Sequence, residues 1–239
     1  MKSLPRTLEE YGTVVFDCDG VLLDSNRIKT EAFHAAAMPY GDDAAQQMVA
    51  YHKAYGGISR QEKFRWFFLE LLGHSVLPED QYYQALDRYA RQVREGLEQC
   101  AVAPGVQDLL RKIPESCQRY VVSGGAEDEV RWVLGLKGLA GYFQGIYGNP
   151  TDKLELVRRL EQRQAMPGAR LYVGDARYDH VVAEHFGMDF LFVSGLTEFQ
   201  EWSAYCQERN ILVVEWLSQL ALESGLVADQ VLGRKRGNP

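Results

Sequence analysis

Apolar residues fall along this chain in two rhythms. Short runs without polar alternation occur at Thr13–Phe16, Arg119–Val122, Leu171–Val173, Phe190–Val193 and Ile211–Val214. Runs of that length and kind suit strands covered on both faces, as in a parallel sheet. Between them the apolar spacing lengthens to the helical period, which predicts helices over Val106–Ile113, Glu127–Leu134, Lys153–Gln162, His180–Phe186 and Glu198–Glu208. Thr197 is the expected cap of the last of these, and a final helix is expected over Trp216–Glu223. Strands alternating with helices predict an α/β fold, a doubly wound Rossmann-like parallel sheet.

Residues 26–100 interrupt this alternation. They hold no convincing strand but several amphipathic stretches, including "RQEKFRWFFLELL", in which Phe64, Phe67, Phe68, Leu71 and Leu72 share one helical face. The expected organisation is therefore an α/β core from 1–25 and 101–232, with an all-helical insertion at 26–100 after the first strand. The last residues, 233–239 ("GRKRGNP"), read as a flexible basic tail.

Composition narrows the class. With 239 residues, 46% of them hydrophobic and 25% charged, the chain can bury a core without staples. A net charge of −7 disfavours nucleic acid or an anionic membrane as the main partner. The four cysteines, Cys18, Cys100, Cys117 and Cys206, form no C-x-x-C pair, so no zinc ribbon or disulfide framework is expected. Neither a signal-peptide core nor an apolar run of membrane-spanning length is apparent, so a cytoplasmic location is the expectation. The sequence leaves the oligomeric state open.

The chemistry begins at "VVFDCDGVLLDS". Asp17 and Asp19 are one residue apart, so an extended backbone projects both to the same side, where open α/β sheets place their ligands. Two close carboxylates repel each other unless a cation intervenes, and Mg²⁺ is the natural candidate. Cys18, between them, is turned the other way and reads as a packing residue. Asp24 reads as a hinge or turn residue on the way to the insertion. At the end of the second run, Ser123 of "VVSGG" can offer a hydroxyl and nearby N–H groups to an anion. Lys153 sits at a helix start, the wrong end of the macrodipole for a cation, unless something anionic lies nearby. "LYVGDARYD" then adds Asp175 and Asp179 after another strand, and acids from two strand ends suit an oxygen-ligated Mg²⁺ site. The histidines of "HVVAEH" lack the spacing of a zinc motif.

D-x-D-G after one strand, Ser after the next, then Lys, then G-D-x-x-x-D closely resembles the motif order of the haloacid dehalogenase-like hydrolase superfamily, and the helical insertion resembles its type-one cap. The resemblance extends to the branch of phosphoglycolate phosphatases and β-phosphoglucomutase. It implies that Asp17 is the nucleophile and a metal ligand. Asp19 would be the general acid/base, with its backbone carbonyl on the metal. Ser123 and Lys153 would hold the phosphoryl group, Asp175 would complete the Mg²⁺ ligands, and Asp179 would support them. Where many relatives carry Asn, this chain has Gly124, leaving only backbone donors to the phosphate. "GGISRQEKF" resembles a substrate-specificity loop, with Arg60 as the arginine that would grip a second anionic group. Because Asp19 is present, phosphoryl transfer is favoured over dehalogenation, and Asp19 is expected to have a raised pKa. The implied function is a Mg²⁺-dependent phosphatase of a small phosphorylated metabolite, a sugar phosphate or phosphorylated sugar acid. A sugar phosphomutase and a non-catalytic binding protein stand as alternatives.

Overall fold

The computed structural model describes residues 4–220. Its centre is a six-stranded, all-parallel sheet: β1 (Tyr11–Phe16), β2 (Gln118–Ala126), β3 (Gly145–Asn149), β4 (Ala169–Gly174), β5 (Asp189–Val193) and β6 (Leu212–Val214), in the order β3-β2-β1-β4-β5-β6. This is the doubly wound α/β arrangement. Strand β1 shows why its sequence is apolar throughout. Val14 and Phe16 face one hydrophobic layer, with α5 (Val106–Lys112) and α6 (Glu127–Leu136), whereas Val15 faces the other, with α7 (Lys153–Gln162) and α8 (Arg177–His185). Burial on both faces removes any reason for polar alternation.

Strand β3 was not expected. "GIYGN" has only Ile146 and Tyr147 as strand formers between glycines, and it is pairing with β2 that makes it extended. β2 also runs past Val122 through the "SGG" segment to Ala126, with a register irregularity on the way. Thr197 does not cap a helix at Glu198. Helix α9 is shorter, Trp202–Glu208, and the Thr197 hydroxyl instead donates to the Asp175 carbonyl and accepts from the Phe199 N–H. Of the expected last helix, 218–220 is helical and the remainder lies outside the described residues, as does the 233–239 tail.

Four helices lie between β1 and α5: α1 (Asn26–Ala37), α2 (Asp42–Ala54), α3 (Arg60–Trp66), which continues into a π-helical turn at Phe67–Leu71, and α4 (Glu79–Gln99). Phe64, Phe67 and Phe68 are fully buried, and Leu71 and Leu72 are half-buried. The rings of Phe33 of α1 and Tyr89 of α4 pack with centroids 4.3 Å apart and planes tilted by 41°, and Phe33 also meets Phe64 at 5.5 Å, which ties three of the helices together. The chain leaves and re-enters the sheet layer side by side. Leu23 bridges Val102, the exposed Asp24 donates its N–H to the Ala101 carbonyl, and Ala103 donates to Leu22. Among the described residues no helix is long and apolar enough to cross a membrane.

Candidate active site

The sheet order reverses at β1: β2 and β3 lie to one side, β4 to β6 to the other. Crevices at such switch points, beyond the carboxyl ends of the strands, are where α/β sheets bind ligands. Asp17 follows β1 and Asp175 follows β4, the two strands that meet there, and Asp17 donates its N–H to the Val173 carbonyl at 2.9 Å. Carboxylate oxygens of Asp17, Asp175 and Asp179 lie within 4.8 Å of one another, all buried.

Buried carboxylates need partners, and each has a specific one. Lys153, 1% exposed, reaches down from the start of α7 to within 2.8 Å of Asp17 and 2.7 Å of Asp179. Its place at a helix N-terminus is therefore compensated by two acids. Asp179 also accepts from the N–H groups of Asp175 and Ala176 and from the Tyr172 hydroxyl. Asp175 accepts from Asn26 at 2.7 Å. Asp19 accepts from Ser25 at 2.6 Å and pairs with Lys29.

The charges respond to these surroundings. Burial raises Asp17 to about 7, with Lys153 opposing it and Asp179 and Asp19 reinforcing it. Burial and the charges of Asp17 and Asp179 push Asp175 well above the usual carboxylate range. Asp19 runs against expectation: burial alone would raise it, but Lys29 and Ser25 outweigh burial and hold it low. The free site thus keeps Asp19 ionised. Burial lowers Lys153, yet Asp17 and Asp179 more than reverse this and keep it charged.

A cation fits here on chemical grounds. Although Lys153 is close, no aligned hydrogen bond from the described residues reaches Oδ1 of Asp17, which leaves a buried carboxylate oxygen with unused capacity. An all-oxygen set beside it is hard-cation chemistry, suited to Mg²⁺. Gly20 preserves the arrangement. Its φ of +74° is left-handed, and an added Cβ would collide with the Asp175 carboxylate and the Asn26 amide. If Mg²⁺ binds here, Gly20→Ala should weaken its binding by about 10–100-fold, the usual cost of disturbing a ligand's supports, as read by Mg²⁺ titration. Unchanged binding would separate Asp175 from the metal.

Asp17, Asp19, Asp175, Gly124 and Arg60 line a cavity of about 390 Å³ between the strand ends and α1–α3. Ser123, Lys153 and Asp179 lie behind its wall, each buried, and the Ser123 hydroxyl accepts the Gly125 N–H at 3.0 Å. The α2–α3 loop presses onto this wall, and Gly124 is what lets it. A Cβ there would stand 2.6 Å from the Gly57 carbonyl, so the asparagine common in relatives has no room. Asn149, from the end of β3, bonds the Gly124 carbonyl instead. Arg60 is not free over the site: it pairs with Glu129 of α6 at 2.6 Å and lies over the Tyr89 ring. Cys18 is packed in the core, where burial raises its thiol well above its ordinary range. His180 bonds the Tyr205 hydroxyl through Nδ1 at 2.8 Å.

The supports Ser25, Asn26 and Lys29 were not anticipated. Their signal was available: Lys29 and Thr30 stand on the same face of α1 as the buried Phe33, Ala36 and Ala37, a polar break in an apolar stripe.

The family model for haloacid dehalogenase-like hydrolases matches residues 14–193. The chain belongs to that family. The haloacid dehalogenase-like fold is also found in solved structures at low identity. A hydrolase of this family from Streptococcus pneumoniae shares 18% identity, with 90% of this chain and 98% of that one covered at a TM-score of 0.66. A protein from Haemophilus somnus, described as a predicted phosphoglycolate phosphatase, shares 16%, covering 90% and 98% at 0.69. A predicted phosphatase from Clostridium acetobutylicum shares 18%, covering 89% and 97% at 0.68. No curated protein matches the sequence.

Proposed function

We infer that this haloacid dehalogenase-like hydrolase is a Mg²⁺-dependent phosphatase of a small phosphorylated metabolite, a sugar phosphate or phosphorylated sugar acid, working through an aspartyl-phosphate on Asp17. The observation that carries this reading is the pair Asp17 and Asp19 at one cavity wall, each set by its own lysine, with Asp175 beside them. A halide leaving group would need no second acid. The descriptions of the Haemophilus and Clostridium neighbours point the same way.

In this reading Asp17 attacks phosphorus in line while the bond to the leaving oxygen breaks. The leaving oxygen takes a proton from Asp19. Lys29 keeps Asp19 ionised in the free site, so Asp19 takes up a proton from solvent as the incoming phosphate dianion raises its pKa, and returns it to solvent once turnover is complete. Water then attacks the phospho-aspartate, Asp19 takes its proton, and orthophosphate leaves with Asp17 regenerated. Lys153 holds Asp17 in line and offsets phosphate charge, and the backbone at Gly124 offers donors to the phosphoryl oxygens. Asp17, Asp175 and the Asp19 carbonyl would hold Mg²⁺, which when bound supplies the positive charge that lets carboxylate and phosphate approach. Residues 26–100 act as a cap on the α/β core, whose described part is 4–25 and 101–220. It bears on the core through Arg60–Glu129 and through Lys53 and Thr30, both on Glu198, and it excludes water during transfer.

The test is hydrolysis of p-nitrophenyl phosphate with Mg²⁺. Chelator should abolish turnover, and Mg²⁺ at about 100 times its Kd should stabilise the fold by roughly 2.7 kcal/mol. For a protein of this size that raises Tm by about 5–10 °C. Turnover insensitive to chelator would overturn the assignment.

A further inference from the structure

Four cationic side chains from α1–α3 line the cavity: Lys29, Lys53, Arg60 and Lys63. Three are already neutralised, Lys29 by Asp19, Lys53 by Glu198 at 3.4 Å and Arg60 by Glu129. Lys63 is not. Its side chain is 2% exposed, and among the described residues its ammonium has no carboxylate partner. Its one hydrogen bond joins Nζ to Nδ1 of His52 at 2.7 Å, and it rests 5.4 Å from the centre of the Phe33 ring. A buried ammonium with one neutral partner has two N–H donors to spare, a costly arrangement unless something anionic completes it.

We propose that Lys63, positioned by His52, is the subsite for a second anionic group on the phosphorylated substrate, a carboxylate or a second phosphate. This rests on the phosphatase reading and specifies its substrate class. It also relocates the second-anion contact expected of Arg60 to a residue three positions along the same helix, because Glu129 already occupies Arg60. Burial, helped by the charge of Lys29, lowers Lys63 to about 7 and His52 well below its usual range. The ammonium form of Lys63 is therefore disfavoured by its surroundings, with His52 uncharged and accepting at Nδ1. An anion entering beside Lys63 supplies the counter-charge and draws the proton fully on.

The experiment compares 3-carboxypropyl phosphate and butane-1,4-diol bisphosphate with butyl phosphate, which lacks the second charge, in wild type and in Lys63→Met, an apolar replacement of similar length. Wild type is expected to favour at least one charged ester by about 10–100-fold in kcat/KM, the worth of a charge-assisted hydrogen bond. Lys63→Met should lower that preference by about tenfold or more, mainly through KM, without a fall in Tm, since it removes an unpaired buried charge. Which charged ester is favoured distinguishes carboxylate from phosphate. Calorimetric titration of Asp17→Asn, with and without Lys63→Met, separates the two readings. If no ester is hydrolysed but the charged ones still bind more tightly through Lys63, the phosphatase reading falls and the subsite stands. A wild type without preference for either charged ester, or a preference that survives Lys63→Met within about twofold, overturns the subsite.

Discussion

Asp17→Asn is expected to lower kcat for p-nitrophenyl phosphate by at least about 10³-fold while the protein stays folded. The size follows from removing a group on which every later step depends, since such losses are not shared out among neighbours. An amide is nearly the same shape as a carboxylate but is a poor nucleophile, so the surrounding fold is kept while the attacking charge is lost, and with it an anionic metal ligand and one counter-charge of Lys153. The substitution also has a signature in stability. With Asp17 raised to about 7 by burial, the metal-free native state holds a proton that the unfolded chain releases near its ordinary value of 3.8. The native state binds more protons across that window, so metal-free stability should fall as pH rises from about 4 to 7. Asp175, also raised, contributes with the same sign. In Asp17→Asn this decline should be shallower. Thermal melting in chelator across that pH range reads it directly. Turnover near wild type would remove Asp17 as nucleophile, and an unchanged pH slope would remove it as the group that titrates.

Lys153→Met is expected to be the most damaging single change to the fold at this site. Lys153 is 1% exposed and is the cation shared by Asp17 and Asp179, themselves 6% and 0% exposed. Removing one partner of a buried ionic cluster typically costs about 3–5 kcal/mol, because the remaining charges stay desolvated and uncompensated. In a chain of this size that is a fall of roughly 10 °C in Tm in chelator. Part of the loss can be avoided by protonation of Asp17, which burial already raises, so the defect should shrink as pH falls. Part should be recovered by Mg²⁺, which offers those carboxylates another positive charge. Activity should remain low even with Mg²⁺, since nothing else would orient Asp17 or meet the phosphate. A Tm equal to wild type in chelator, or a defect indifferent to Mg²⁺, would mean that Lys153 is not the counter-charge of this cluster.

The two substitutions differ in a way that explains how far the sequence could be read. Asp17, Asp19, Lys153, Asp175 and Asp179 were legible because strand ends, glycines and helix starts are local patterns, and the chemistry of a carboxylate or an ammonium in such a place is constrained. The all-parallel sheet was legible for the same reason: Val14–Phe16 and Leu171–Val173 lack the alternation a solvent-facing strand would show. β3 was not, because "GIYGN" has little strand preference of its own and is held by β2. Nor was the late start of α9, where Thr197 is drawn away by the Asp175 carbonyl, a partner 22 residues distant.

What lies between α1–α3 and the strand ends depended on packing alone. No local pattern pairs Arg60 with Glu129 or Lys29 with Asp19, and it is these pairings that reverse two expectations, a free Arg60 and a raised Asp19. Gly124 looked like a lost contact and proves to be the room that the Gly57 carbonyl needs. Lys63 reads in sequence as one more charge on a helix, and only its burial, with His52 as its one side-chain hydrogen-bond partner among the described residues, sets it apart. The sequence by itself determined the sheet class, the helical insertion and the ordered acids and lysine, because these follow from local periodicity and from charges at element ends. The tertiary structure decided which charge meets which, because burial and through-space distance set the protonation and freedom of every group around the cavity, and neither is a property of neighbouring residues in the chain.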